Sequence, residues 1–89
     1  MNTKVYYEVD KEWYDRTADT FVSYESEYER FETEQEAREF VKDNMLHLDD
    51  NEAFSLMKNE YDPETNELVE SKEIDLFEQN PDIYKNKGF

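Results

Sequence analysis

The first 31 residues alternate between apolar and polar side chains with the period of two that is typical of β-strands. We predict a strand over 4–14, a polar connection over 15–20 and a second strand over 21–31. Their spacing allows an antiparallel hairpin. The apolar face of the first strand carries Val5, Tyr7 and Val9. In the second strand Val22, Tyr24 and Tyr28 are expected on one face, and Ser23, Glu25, Glu27 and Glu29 on the other.

The period changes after this hairpin, where Thr33 and Glu36 form the sequence signature of a capping box. The Thr hydroxyl can accept the third helical N–H, and acidic residues in the first turn face the positive end of the helix dipole. Apolar residues then recur at helical spacing. The pattern therefore predicts a helix over 34–45 whose apolar stripe, Ala37, Phe40 and Val41, packs on the sheet.

The second half is harder to assign, because 53–61 fits either a helix or a strand. We favour a strand, since the turn-forming residues at 62–66 and an alternating stretch at 68–77 follow it. Leu68, Ile74 and Leu76 are expected on one face. The predicted fold class is α+β, in the order β-β-α-β-β, with a small antiparallel sheet of two hairpins covered on one face by one helix. We assign 1–80 to a single acidic domain and 81–89 to a loosely held C-terminal tail.

Composition first raises the question of disorder, because 25 Asp and Glu stand against 10 Lys and Arg, a net charge of −15. Aromatic residues make up 16% of the chain, with only 1 Gly and 2 Pro, which favours a folded domain. The absence of Cys excludes disulfides and thiolate chemistry. No signal peptide or membrane-spanning stretch is evident, so the cytoplasm is the expected compartment.

The acidity also limits the partners of this chain. A field of this sign repels nucleic acid and anionic membranes, so we expect neither to bind directly, and it attracts basic proteins. Glu25, Glu27 and Glu29 would form a ladder on one strand face, spaced by about 6.7 Å, which is twice the strand rise. Such a row can imitate the phosphates of a nucleic acid strand. A second acidic stretch, 60–78, holds eight acids and one Lys.

The sequence contains no motif that strongly indicates a catalytic or metal-binding site. The stretch 62–73 resembles an EF-hand loop in its acidic positions, but Glu67 occupies the place where the loop needs Gly. His47 is the only histidine and lies in a polar connection without a Gly-rich nucleophile turn. With one Gly, phosphate-binding loops are excluded. We therefore expect no enzyme activity, no cofactor and no metal, although convergent acids in a pocket would reopen that question.

Two hypotheses of function remain. In size and charge, though in no aligned motif, the chain resembles the small acidic phage proteins that block restriction enzymes, CRISPR effectors or DNA-repair enzymes. That resemblance implies an inhibitor that mimics DNA and occupies the basic surface of a nucleic-acid-binding protein. The alternative is an acidic adaptor or structural domain, monomeric or homodimeric, whose charge serves solubility. The expected contact residues are Tyr24, Glu25, Glu27, Tyr28, Glu29, Glu70, Glu73 and Asp75.

Overall fold

A computed structural model describes residues 2–80, with Ser26 described by its backbone only. The elements in chain order are β1 (Lys4–Asp15), β2 (Thr20–Phe31), α1 (Glu34–Asn44), a 3-10 turn (Met45–His47), β3 (Glu52–Tyr61) and β4 (Leu68–Glu78). The four strands form one antiparallel sheet in the order β2-β1-β3-β4. The expected α+β class with a small antiparallel sheet and one α-helix is confirmed. The description as two hairpins fits in outline, because β1 also pairs with β3 and joins the hairpins into one sheet.

The helix begins where the capping box predicts. The hydroxyl oxygen of Thr33 accepts the backbone N–H of Glu36 at 3.2 Å and donates to the Glu36 carboxylate at 2.9 Å. The buried residues of α1 are Ala37 and Val41, which belong to the predicted stripe. The helix therefore covers one face of the sheet, which we call the helix face. We call the opposite side the open face, because no helix within residues 2–80 packs on it.

The hydrophobic core lies between α1 and the central strands. Val9 in β1 pairs with Leu56 in β3, and the two side chains are 1% and 0% exposed. The other buried members of the core are Ala37, Val41, Leu48 and Phe54. The expected strand at 53–61 is confirmed, because β3 spans Glu52–Tyr61 and pairs with both β1 and β4.

The second strand does not keep the alternation predicted for it. Asp10 pairs with Tyr28 and Glu12 pairs with Ser23, so the four residues 24–27 stand opposite the single residue Lys11. This bulge inserts an odd number of extra residues, which reverses the face on which later side chains lie. Tyr28 consequently pairs on the open face and Glu29 on the helix face. The prediction of one unbroken face for Glu25, Glu27 and Glu29 together with Ser23 is wrong.

The fourth strand is bulged as well. Its register shifts where Met57 pairs with Glu73 and Leu56 pairs with Asp75, which leaves Ile74 as the extra residue. Ile74 packs against the core, whereas Leu76 pairs with Ser55 on the open face. The prediction that Leu68, Ile74 and Leu76 share a face is therefore wrong, because an inserted residue moves its neighbours to opposite sides.

The connection between β3 and β4 has the predicted turn chemistry. Asn66 adopts φ 61°, the left-handed region that Asn tolerates, and its N–H donates to the carbonyl of Asp62 at 2.7 Å. The predicted tail, 81–89, lies outside the described residues. Within 2–80, neither helical segment has the length and apolar character needed to cross a membrane.

Candidate partner-binding site

The bulged half of β2 carries the acids that the sequence singled out. Glu25, Glu27 and Glu29 are exposed, and within residues 2–80 none of them forms an ion pair or accepts a hydrogen bond. The only basic residue of this strand, Arg30, pairs on the open face and donates to Glu8 at 3.3 Å. The one cation of this strand therefore does not compensate its three exposed carboxylates.

Tyr24 serves the fold rather than an open surface. Its hydroxyl donates to the carboxylate of Glu52 at 2.6 Å, and Lys11 lies 5.4 Å above its ring. The hydrogen bond to Glu52, together with burial and that negative charge, raises the pKa of Tyr24 to about 12. Glu52 is 5% exposed and also accepts the backbone N–H of Asp49 at 2.8 Å. Burial raises the pKa of Glu52, but these hydrogen bonds and Lys11 outweigh it and lower the pKa overall.

The strand edge also borders a concave site. Beside the bulge lies a cavity of about 330 Å³ between β1, β2, β3 and the helix. Tyr28, 51% exposed, is among its lining residues together with Glu27 and Glu29. The remaining lining residues are Val9, Lys11, Phe40 and Phe54. Three of the predicted contact residues therefore meet at one cavity, and Glu25 does not line it.

The other predicted acids lie at the far edge of the sheet. β4 is separated from β2 by the two central strands, a distance of roughly 14 Å at about 4.8 Å per strand. Glu70 is exposed, but Glu73 accepts the hydroxyl of Ser55, and Asp75 accepts Arg38 at 3.0 Å. The structure thus divides the predicted contact set between two edges, and at the β4 edge two of its three acids already have partners within the fold.

Sequence reasoning missed a buried carboxylate at the centre of the open face. Glu8, 5% exposed, accepts Asn59 at 2.6 Å, the hydroxyl of Tyr61, and Arg30 at 3.3 Å. Ser71 in turn donates to the side-chain oxygen of Asn59 at 2.6 Å. Burial raises the pKa of Glu8, but its hydrogen bonds and the charge of Arg30 prevail and lower it. This network joins all four strands.

Lys11 was missed too, although the alternation of β1 contained the signal. It occupies the position between Val9 and Trp13 on a face that is otherwise apolar. The structure pairs it with the buried carboxylate of Glu52 at 3.6 Å. A lysine placed on an apolar face needs such a partner, because a charge is costly to desolvate alone.

Two further acids lie on the open face beside Glu8. Asp10 and Glu12 are half-buried and accept no hydrogen bond from residues 2–80. Burial raises the pKa of both carboxyl groups, with a further contribution from Glu8 on Asp10 and from Glu73 and Asp10 on Glu12. These groups follow one another at i, i+2 on one strand, where like charges repel.

The stretch that resembles a calcium loop forms the β3–β4 hairpin. Asp62 accepts the backbone N–H of Glu64 at 2.8 Å, as a turn residue does, and Leu68 already begins β4. His47 is exposed at the end of the 3-10 turn. Among residues 2–80, no three His, Cys, Asp or Glu side chains are grouped so that they could hold a metal ion.

Comparison with protein-family models, with curated proteins and with solved structures finds no match to this chain.

Proposed function

We propose that this chain is a protein-binding inhibitor that imitates nucleic acid and occupies the basic surface of a nucleic-acid-binding protein. The observation that carries the proposal is the uncompensated charge on β2. Glu25, Glu27 and Glu29 are exposed on an edge strand, while Arg30 is engaged with Glu8. Exposed carboxylates that have no ion pair within residues 2–80 are available to the arginines and lysines that normally contact phosphates.

The bulge changes how such mimicry would work. Glu27 and Glu29 border one cavity, and Glu25 lies further along the bulged segment. A bulge bends its strand, so this acidic edge departs from a straight row, as a winding phosphate backbone does. Long-range attraction between this edge and a basic partner would speed their association and make it sensitive to salt.

The adaptor alternative keeps one specific observation in its favour. Acidic residues occur on both outer strands, β2 and β4, and charged residues on outer strands protect a sheet from pairing with other sheets. Under that hypothesis the acids serve solubility, and a partner or a second copy of the chain binds elsewhere. The two functions differ in whether nucleic acid competes with the partner.

The test is capture of partners by the immobilised protein, followed by elution with double-stranded DNA. We expect a nucleic-acid-binding protein to be retained at low salt, released by the DNA, and lost when Glu25, Glu27 and Glu29 are all replaced by Gln. The matched control replaces Asp43 by Asn and Glu64 and Glu67 by Gln. It removes the same charge from exposed side chains that form no hydrogen bond or ion pair within residues 2–80. Retention that neither the DNA nor the β2 variant changes would contradict mimicry and favour the adaptor.

A further inference from the structure

The cavity beside the β2 bulge has a floor and a rim of opposite character. The apolar part is formed by Val9, Phe40 and Phe54, and the carboxylates are those of Glu27 and Glu29. Its volume of about 330 Å³ is at the lower end of the roughly 300–1,000 Å³ typical of small-molecule sites. A space of this size suits one long side chain better than an extended ligand.

The aromatic floor is held in place by packing. The ring of Phe40 lies 5.3 Å from that of Phe31 and 5.8 Å from that of Phe54, both in tilted arrangements. Phe54 is 7% exposed, so the cavity ends on the edge of the core rather than on a loop. A rigid ring face of this kind attracts a flat cation, most often a guanidinium.

Among residues 2–80, the one cation that lines the cavity does not neutralise its acids. Lys11 forms its ion pair with Glu52, whose carboxylate is buried, and extends over the ring of Tyr24. Glu27 and Glu29 therefore keep their charges for another partner. Both line the same cavity, so a cation placed there can approach both carboxylates.

We propose that this cavity receives an arginine side chain of the basic partner, an inference that rests on the proposed function. The guanidinium would lie over the ring of Phe40 and donate hydrogen bonds to Glu27 and Glu29. Arginine fits better than lysine, because its planar group both stacks on aromatic rings and donates to two carboxylates at once. Such a site would give the acidic edge a specific anchor in addition to its long-range field.

The experiment is an NMR titration of the isotope-labelled protein with N-acetyl-arginine amide. We expect saturable shifts confined to the amides of 9–11, 27–29, 40 and 54. N-acetyl-norleucine amide, which has the stem without the charge, should shift them much less. Replacing Glu27 and Glu29 by Gln should weaken the arginine probe by roughly fivefold, since exposed ion pairs contribute little each. The control pair, Asp43→Asn with Glu64→Gln, removes the same charge and should leave the affinity unchanged.

Three outcomes would overturn the site: shifts spread over all acidic residues, equal shifts with norleucine, or equal weakening in the control pair. Because the titration needs no target protein, its failure can be separated from failure of the inhibitor function. If DNA reverses the capture but the amide shifts are not confined to the cavity, the arginine site alone is contradicted. If the shifts are confined to the cavity but no such capture occurs, the inhibitor function is contradicted and a site for basic side chains is still supported.

Discussion

Glu8 and Glu29 lie in neighbouring strands at register positions one residue apart, but their structural roles are opposite. Glu29 pairs with Val9 and Glu8 pairs with Arg30, so the two carboxylates leave the sheet on opposite faces. Glu8 is buried with donors from three other residues, whereas Glu29 is exposed and has no partner within 2–80. The acids of this chain therefore include a buried population that holds the sheet together and an exposed population without partners within 2–80.

The largest expected change in the free energy of unfolding comes from substituting an acid of the buried population. Replacing Glu8 by Ala should lower the free energy of unfolding by about 3 kcal/mol, because Asn59, Tyr61 and Arg30 would lose a shared charged acceptor. Glu29→Ala should change it by no more than about 0.5 kcal/mol, as exposed substitutions usually do. Urea unfolding of both variants checks the difference. Equal changes in the free energy of unfolding would show that Glu8 contributes no more to stability than the exposed Glu29, and the two populations would not differ.

The second expected effect concerns Tyr24, which the sequence placed in the binding set and the structure bonds to Glu52. Tyr24→Phe should cost about 1 kcal/mol, since a buried carboxylate would lose one donor. Tyr28→Phe is the matched control on the same strand, because the Tyr28 hydroxyl makes no hydrogen bond within 2–80. Thermal or urea unfolding compares the two variants. If Tyr28→Phe proves as costly, Tyr24 has no special structural role.

Features that depend on neighbouring residues could be predicted from the sequence, whereas features that depend on distant strands could not. Capping, period and turn chemistry are local, so α1, β3 and the Asn66 turn could be predicted from neighbouring residues. The β2 bulge could not, because pairing with Lys11 is decided by β1 and not by the residues of β2 themselves. The Glu8 network depends on Asn59 and Tyr61, more than fifty residues away, and no local pattern indicates that they meet.

The third expected effect is a pH dependence of stability that distinguishes the buried Glu8 and Glu52 from the half-buried Asp10 and Glu12. Glu8 and Glu52 have lowered pKa values, so they stabilise the fold above the unfolded pKa of about 4.3, and this contribution is lost as the pH falls through their folded values. Asp10 and Glu12 have raised pKa values. Their ionisation therefore opposes folding at neutral pH, and the penalty disappears as the pH falls through those raised values.

The double variant Asp10→Asn, Glu12→Gln isolates that penalty. It should unfold at higher urea than the wild type at pH 7, and its advantage should shrink as the pH falls through the raised pKa values of Asp10 and Glu12, because the wild-type carboxyls then become neutral too. Asp43→Asn is the exposed control and should show no such trend. An advantage that stays constant between pH 7 and pH 4 would mean that the substitutions act through packing rather than through charge.

The smallest expected effect is on the free population, and its sign is informative. If Glu27 and Glu29 repel each other and the surrounding acids without any compensating cation, Glu27→Gln with Glu29→Gln should slightly stabilise the fold, by no more than about 0.5 kcal/mol. The gain should be visible in about 10 mM salt, where the screening length is about 30 Å, and vanish near 1 M, where it is about 3 Å. Urea unfolding at the two salt concentrations measures it. A loss of stability at low salt would mean that these carboxylates have partners in the fold, and they would then no longer be free to bind another protein.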